Sequence, residues 1–479
     1  LPRKPRKNTK TKKGFWPRAL TDAHGQKASA NHPAPLKSCT PLKLRNLYQK
    51  VKHYLHNILW IMGDKVATLV VGFFVTVLVA RYLGPEDFGL YSYAISVAAI
   101  FSAAGHMGLS GLVVREIVKK PDDRGETLGT TLGLKFIGMG VGYVVLLAYA
   151  ALYEGLSSPE FIMLAIAGAA LLFSPFQVFD FWFQAFVKAK YVTYSRLIGL
   201  VASSGLKISF VFLGAGVIYF VGANLAQAVI VFLAFVFFYK ATSTLKLSEW
   251  SFSWARAKEL FSQGWLVYLG SIFAVVYLKV DQVMLKWFEG ADSVGIYAVA
   301  AQLSEAWYFV PVAIVTSFFP KLIKLRDENS LEFGRRFQQL LDLLFILALV
   351  VALVMTLASE FVILLFFGEH YLDSADVLVI HVWAALFIFM RAAFSKWILI
   401  ENALVFSLVT QGAGAVVNVA LNYFMIPKFG VTGAAYATLL SYAFASFFSL
   451  ALYPKTRPVF FMMVKSFLFV FRYIKPRAT

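Results

Sequence analysis

One cysteine, Cys39, stands in 479 residues, which excludes a disulfide framework and any site built from several thiolates. Charge is scarce as well: Asp, Glu, Lys and Arg make up 15% of the chain, against roughly a quarter in an ordinary soluble protein. A Gly-x-x-x-x-Gly-Lys phosphate loop, a His-Glu-x-x-His helix and a Gly-x-Ser-x-Gly elbow are all missing, so ATP hydrolysis, zinc hydrolysis and serine-hydrolase chemistry have no recognisable seat. No catalytic residue, cofactor or metal ion is expected, and the chain is not read as an enzyme. What is present is apolar: 59% of the residues, in long runs that recur from about residue 57 to residue 453 with no polar domain between them. Such a pattern predicts a polytopic membrane protein.

The net charge of +19 is unevenly spread. Residues 1–53 carry 14 Lys/Arg against a single Asp, leaving +6 for the other 426. This stretch has few large apolar residues, so burial cannot offset its ordering entropy. It is expected to be a disordered basic tail, drawn to anionic lipid headgroups rather than to nucleic acid. It lacks an apolar run followed by a small-residue cleavage site, and no signal peptide is expected.

Twelve stretches are long and apolar enough to cross a hydrocarbon core, which takes about 20 helical residues. They fall near 57–80, 91–114, 128–152, 161–184, 193–213, 217–239, 263–286, 296–320, 338–359, 375–398, 403–426 and 431–453. Sixteen Lys/Arg lie in alternate connections, from Arg115 to Lys396, and only Arg81, Lys286 and Lys428 in the others. That asymmetry predicts cytoplasmic termini. The expected organisation is a basic tail (1–53), a six-helix lobe (54–240), a cytoplasmic amphipathic linker (241–262) in which Trp250, Phe252 and Trp254 alternate with Arg256 and Lys258, a second six-helix lobe (263–453) and a basic amphipathic C-terminal tail (454–479).

Gly84-Pro-Glu86-Asp-Phe88-Gly89-Leu-Tyr91-Ser-Tyr-Ala94 is echoed 206 residues later by Gly290-Ala-Asp292-Ser-Val294-Gly295-Ile-Tyr297-Ala-Val-Ala300. A weaker echo joins Gly222-Ala-Asn-Leu-Ala226 to Gly433-Ala-Ala-Tyr-Ala437. Two six-helix halves of like orientation follow, related by a pseudo-twofold along the membrane normal. The fold class expected is therefore all-α and polytopic, with about 12 transmembrane helices in two halves. Duplication of this kind favours a transporter.

At these residues the sequence resembles the O-antigen and capsule repeat-unit flippases of the multidrug/oligosaccharidyl-lipid/polysaccharide exporter superfamily. Arg81-Tyr-Leu-Gly-Pro-Glu-Asp-Phe-Gly-Leu-Tyr91 looks like that family's first-loop signature, and Gly295-Ile-Tyr297, Pro320, Phe367-Gly-Glu-His-Tyr371 and Lys428-Phe-Gly-Val-Thr-Gly-Ala-Ala-Tyr-Ala437 fit with it. The likeness covers about residues 50–455. It implies the exporter-superfamily flippase fold in the cell (inner) membrane, translocating undecaprenyl-diphosphate-linked oligosaccharide from the inner to the outer leaflet by alternating access between two lobes. Implied partners are the lipid-linked oligosaccharide, membrane lipids, and polysaccharide polymerase and assembly proteins. The basic tail is no part of the family pattern, and twelve spans rather than fourteen set the chain apart from lipid II flippases.

Several ionisable residues fall inside the apolar stretches. A charge facing lipid at the bilayer centre costs about 2.5–3.5 kcal/mol, so Lys65, Lys207, Lys279 and Arg391 are expected to face protein or a wet cavity. These four are the candidates for a cationic cavity holding a diphosphate and acidic sugars. Asn57, Asp64, Lys65, Thr68, Gly72 and Thr76 recur as one polar stripe on the first span. Asp64, Asp281 and Glu305 are the ion-coupling candidates, Asp64 because it resembles by position the first-helix carboxylate of related drug exporters. Snorkelling of Lys279 and buried ion pairs are the competing structural readings. His106 is expected to bond locally, and Gly129, Gly133, Gly138 and Gly142 to allow close helix approach.

Two alternatives remain open at this stage. A drug/cation antiporter of the same superfamily would need an acidic cavity, whereas the deep charges here lean basic. A membrane polysaccharide polymerase or glycosyltransferase would be polytopic too, but the adjacent acids Asp122 and Asp123 fall in a loop beside Lys119, Lys120 and Arg124, where a solvated loop is the simpler reading.

Overall fold

A computed structural model describes residues 41–401 and 403–468, and the chain divides into two compact units, Leu1–His53 and Tyr54–Thr479. All described elements are helical. In chain order the α-helices are α1 (Pro41–His106), α2 (Ser110–Lys119), α3 (Arg124–Tyr153), α4 (Pro159–Leu171), α5 (Val178–Ala185), α6 (Ala189–Phe212), α7 (Val217–Thr242), α8 (Trp254–Glu289) and α9 (Ala291–Glu305). Then come α10 (Phe309–Glu328), α11 (Ser330–Leu357), α12 (Ser359–Phe366), α13 (Ser374–His381), α14 (Ala385–Ile400), α15 (Leu404–Ala443), α16 (Ser449–Leu452) and α17 (Arg457–Phe467).

Ten helices among the described residues are long and apolar enough to cross a membrane. Two of them are interrupted. In α1 the backbone turns left-handed at Gly84 (φ 73°, ψ 174°), and in α15 at Gly430 (φ 56°), conformations that glycine adopts without a Cβ penalty. Gly290, which ends α8, has φ 93° and ψ −176°. It therefore repeats the Gly84 corner at the same 206-residue offset seen in the sequence.

The two corners meet. A β-carbon added to Gly89 would fall onto the Ala291 carbonyl, and one added to Gly295 onto the Pro85 carbonyl. Since Gly295 is the counterpart of Gly89 and Ala291 that of Pro85, this contact is reciprocal, as a twofold relation requires. A single apolar cluster surrounds it, drawing Phe88, Tyr93 and Val97 from one half and Tyr297, Val299 and Tyr371 from the other. Tyr371 donates to the Ala80 carbonyl (2.9 Å), Arg81 to Leu365 O (2.7 Å) and Ser374 to Ile296 O (2.8 Å). The Ala80 and Leu365 carbonyls are ones freed where a helix breaks or ends.

The far end of the bundle has its own bridges. Gly108 and Gly264 approach so closely that a Gly108 β-carbon would lie 2.8 Å from the Gly264 oxygen. Buried Arg256 on α8 donates to Glu116 on α2 (3.0 Å) and to Thr127 on α3 (3.2 Å). Gly125 and Gly129 on α3 press against Glu249 and Ser251, and the Ser253 amide donates to Thr130 Oγ1 (3.0 Å).

Within the stretch 241–262, Trp250 donates to Tyr239 OH (3.0 Å), and α8 starts there because Ser253 caps it, accepting from the Arg256 amide (3.3 Å). The tail was expected to be disordered to residue 53, yet α1 begins at Pro41. Leu44, Leu47, Tyr48 and Val51 recur there at helical spacing, and proline suits a first turn. Residues 1–40, including Cys39, lie outside the described residues. In the C-terminal segment, α17 docks on α11, with Ser466 donating to Asp342 (2.7 Å) and Gln338 to Met462 O (2.9 Å); residues 469–479 lie outside the described residues.

Candidate functional site: a polar cavity between the halves

Beside the reciprocal glycine contact lies a cavity of ≈ 400 Å³. Thr76, Tyr91 and Ser96 enter it from α1, and Lys279, Gln282 and Glu305 from α8 and α9. Both halves therefore build it. Helical spacing explains the selection, for Lys279 and Gln282 are three apart on α8 and Ser92 and Ser96 four apart on α1. Ser96 donates to Gln282 across the halves (2.6 Å). The volume falls within the roughly 300–1,000 Å³ of ordinary ligand cavities. Hydroxyls, amides, one ammonium and one carboxylate suit a hydroxyl-rich ligand held by hydrogen bonds, and the lining contains no nucleophile–base pair.

The four cationic candidates do not share this cavity. Lys279 lines it. Lys207, on α6, stands behind the wall: its ammonium donates to Tyr91 OH (3.1 Å) and Asn224 Oδ1 (2.9 Å) and lies 5.6 Å from the Tyr91 ring centre, so it touches a lining residue without lining the cavity itself. Lys65 is exposed on α1. Arg391 lies elsewhere, in a smaller cavity with Tyr277 and Gln411. The expectation that Lys207 and Arg391 line one central cavity therefore fails. Tyr277 and Lys279 are two residues apart on α8 and project about 160° apart, so α8 itself separates the two cavities. The lining is also less basic than the sequence implied, because Glu305 faces it together with Lys279.

The carboxylates are equally divergent. Asp64 is paired with Arg196 (3.1 Å), which also binds Asp180 (2.7 Å), joining α1, α5 and α6. Neither Arg196 nor Asp180 was singled out from the sequence, although both fall in the apolar stretches 193–213 and 161–184 and the test applied to the other in-span charges would have raised them. Asp281 is buried at 2% exposure and forms none of the ion pairs found among the described residues. Its oxygens accept from Tyr297 OH (2.8 Å), Thr438 Oγ1 (2.6 Å) and Asn422 Nδ2 (2.5 Å). Next to it, Asn422 Oδ1 is buried without a partner. Asn418 and Asn422, four apart on α15, are the second signal the sequence offered and the reading missed.

His106 bonds to the Ser102 carbonyl (3.0 Å), the local arrangement expected of it. Gly138 and Gly142 lie against Ala104 and Phe101 of α1, the close approach their spacing implied.

Known proteins resemble this architecture. The Shigella flexneri relative, provisionally named an O-antigen transporter, is 28% identical over 401 residues, covering 80% of this chain and 93% of its own. A Haloferax volcanii protein provisionally named the flippase AglR is 26% identical over 408 residues, covering 82% of each. Among solved structures, the lipid II flippase MurJ in an inward closed conformation superposes with a TM-score of 0.65 at 13% identity, over 88% of this chain and 94% of that one. An inward-facing multidrug resistance MATE transporter also gives 0.65, at 15% identity, over 85% and 99%. These two share the fold. A family model described as polysaccharide biosynthesis protein matches residues 54–326, more than half of the chain, and the chain belongs to that family.

Proposed function

We propose that this protein flips a diphosphate-linked oligosaccharide repeat unit, carried on undecaprenol, from the inner to the outer leaflet by alternating access, and that it catalyses no covalent step. The observation that carries this reading is the polar cavity built by both halves. Family membership and the relatives' names support the cargo class. Reading α1 and α15 as two crossings each, at Gly84 and Gly430, turns ten membrane-length helices into twelve and returns both termini to the cytoplasm. With the orientation the Lys/Arg bias implies, the glycine contact lies toward the outer face. The antiporter alternative, which an acidic cavity would favour, gains nothing from a lining with one ammonium and one carboxylate.

Asp281 is the ion-coupling residue in this reading. A buried carboxylate with only neutral donors is stable either protonated or beside a bound cation, and the unpartnered Asn422 oxygen adds a hard ligand of the type small cations take. Asp64 is instead neutralised by Arg196.

Topology is tested with a reporter active only outside the cytoplasm. Fusions after Lys120, Lys246 or Lys324 should be silent and those after Ser157 or Tyr371 active; an active fusion after Lys324 would refute the orientation. The cargo is tested by deletion in a cell with intact sugar-assembly and polymerisation enzymes. Lipid-linked repeat units should accumulate on the inner leaflet, and complementation with Lys279→Ala should restore transport only to roughly one-tenth to one-hundredth, the loss of a charge-assisted bond of about 1.5–3 kcal/mol. Single repeat units on the outer leaflet of the deletant would show that flipping proceeds without this protein.

A further inference from the structure

Arg391 differs from the other in-span cations in having a cavity of its own. The space is ≈ 150 Å³ and is walled by Phe273, Tyr277 and Leu278 of α8, Gln411 and Tyr442 of α15, and the π-helical turn Phe444–Phe448. The guanidinium donates only to neutral acceptors and at long distances: Ser407 Oγ (3.2 Å), Thr410 Oγ1 (3.4 Å) and Ala445 O (3.4 Å). No carboxylate pairs with it among the described residues, and it lies over the Phe394 ring, 5.5 Å from the ring centre. Within the same wall the Tyr277 hydroxyl is buried and has no hydrogen-bond partner. An unpaired guanidinium and an unpartnered hydroxyl thus belong to residues of one wall, and no carboxylate lines it.

An unpaired cation inside a membrane-spanning bundle is costly, and an oxyanion supplied from outside removes that cost. The planar fork of arginine matches the geometry of a phosphate, and a hydroxyl donor adds to it. The remaining walls are apolar, Phe273 and Leu278 among them, and Leu278 is 39% exposed, so one side of the cavity lies open beside hydrocarbon side chains. A free, strongly hydrated phosphate gains nothing from such walls, whereas a phosphate esterified to a long chain does. The volume is below the roughly 300 Å³ at which ordinary ligand pockets begin, too small for an oligosaccharide. We propose that the Arg391 cavity binds the phosphate of a membrane lipid, as a site separate from the polar cavity between the halves. The inference goes beyond the flippase reading and stands without it, because it requires no glycan.

The test uses the full chain, purified in a phosphate-free detergent and titrated with polyprenyl monophosphate, phosphatidylglycerol and inorganic phosphate. Arg391→Gln should weaken lipid binding about 10- to 100-fold and Tyr277→Phe about 2- to 10-fold, with Arg391→Lys in between. Inorganic phosphate should bind far more weakly than either lipid. Equal losses for both lipids identify a general headgroup site, and a loss confined to polyprenyl phosphate identifies the carrier lipid; either supports the proposal. Unchanged binding of both lipids by Tyr277→Phe and Arg391→Gln would overturn it, as would inorganic phosphate binding as tightly as the lipids. If Arg391→Gln does not fold, Tyr277→Phe decides. Lys279→Ala should bind phosphatidylglycerol normally, so failure of the glycan reading leaves that result untouched.

Discussion

Gly89→Ala is expected to lower transport by one to two orders of magnitude in a protein that still inserts. The added methyl has no space against the Ala291 carbonyl, and overpacking of this kind costs about 1–3 kcal/mol. Because the strain exists only while the two halves touch at this end, it shifts the population toward the state open there, by roughly 5- to 150-fold. Gly295→Ala should do the same through Pro85, since the contact is reciprocal. Gly72→Ala is the control, with nothing near the added carbon. The measurement combines surface polysaccharide with labelling of a single cysteine at Ser92, in a Cys39→Ser background, by a membrane-impermeant thiol reagent from outside. Labelling should be slow in the parent and fast in Gly89→Ala. Slow labelling in both would show that the contact is mere packing.

Asp281→Asn should remove the dependence of transport on the coupling ion and cut the rate at least tenfold. The amide is nearly isosteric, so the bonds from Tyr297 and Thr438 can persist, and folding should survive. Transport is measured across a range of pH and of sodium concentration; the parent should respond to one of them and the variant to neither. Asp64→Asn offers the contrast, for Arg196 would retain Asp180 and ion dependence should remain. A variant at Asp281 that keeps the parent's ion response would shift the coupling role to Glu305.

Much of this architecture was legible in the chain because each feature is written locally. Span length follows from apolar runs, and the Gly84 and Gly290 corners follow from a glycine at equivalent places in a repeat. The reciprocity of the glycine contact was implicit in that repeat, although its closeness was not. The site was less legible, since pairing between spans is set by packing. Asp64 read as an ion-coupling candidate until α6 brought Arg196 to it, and Arg391 as a cation of the central cavity until the turn of α8 placed Tyr277 and Lys279 on opposing sides. Lys207 is bonded to Tyr91, a link no spacing on one helix reveals. The helical start at Pro41 was hidden by the basic composition around it, which outweighed the apolar period of Leu44, Leu47 and Val51.

The central claim is tested most directly in vesicles reconstituted with the purified chain and loaded on one leaflet with a radiolabelled undecaprenyl-diphosphate oligosaccharide. Exposure of the glycan is followed with an impermeant sugar-specific enzyme in the opposite compartment. The account predicts protein-dependent exposure that Lys279→Ala and Gly89→Ala both slow. Glycan that stays on its leaflet in vesicles holding the intact, correctly inserted protein would contradict it.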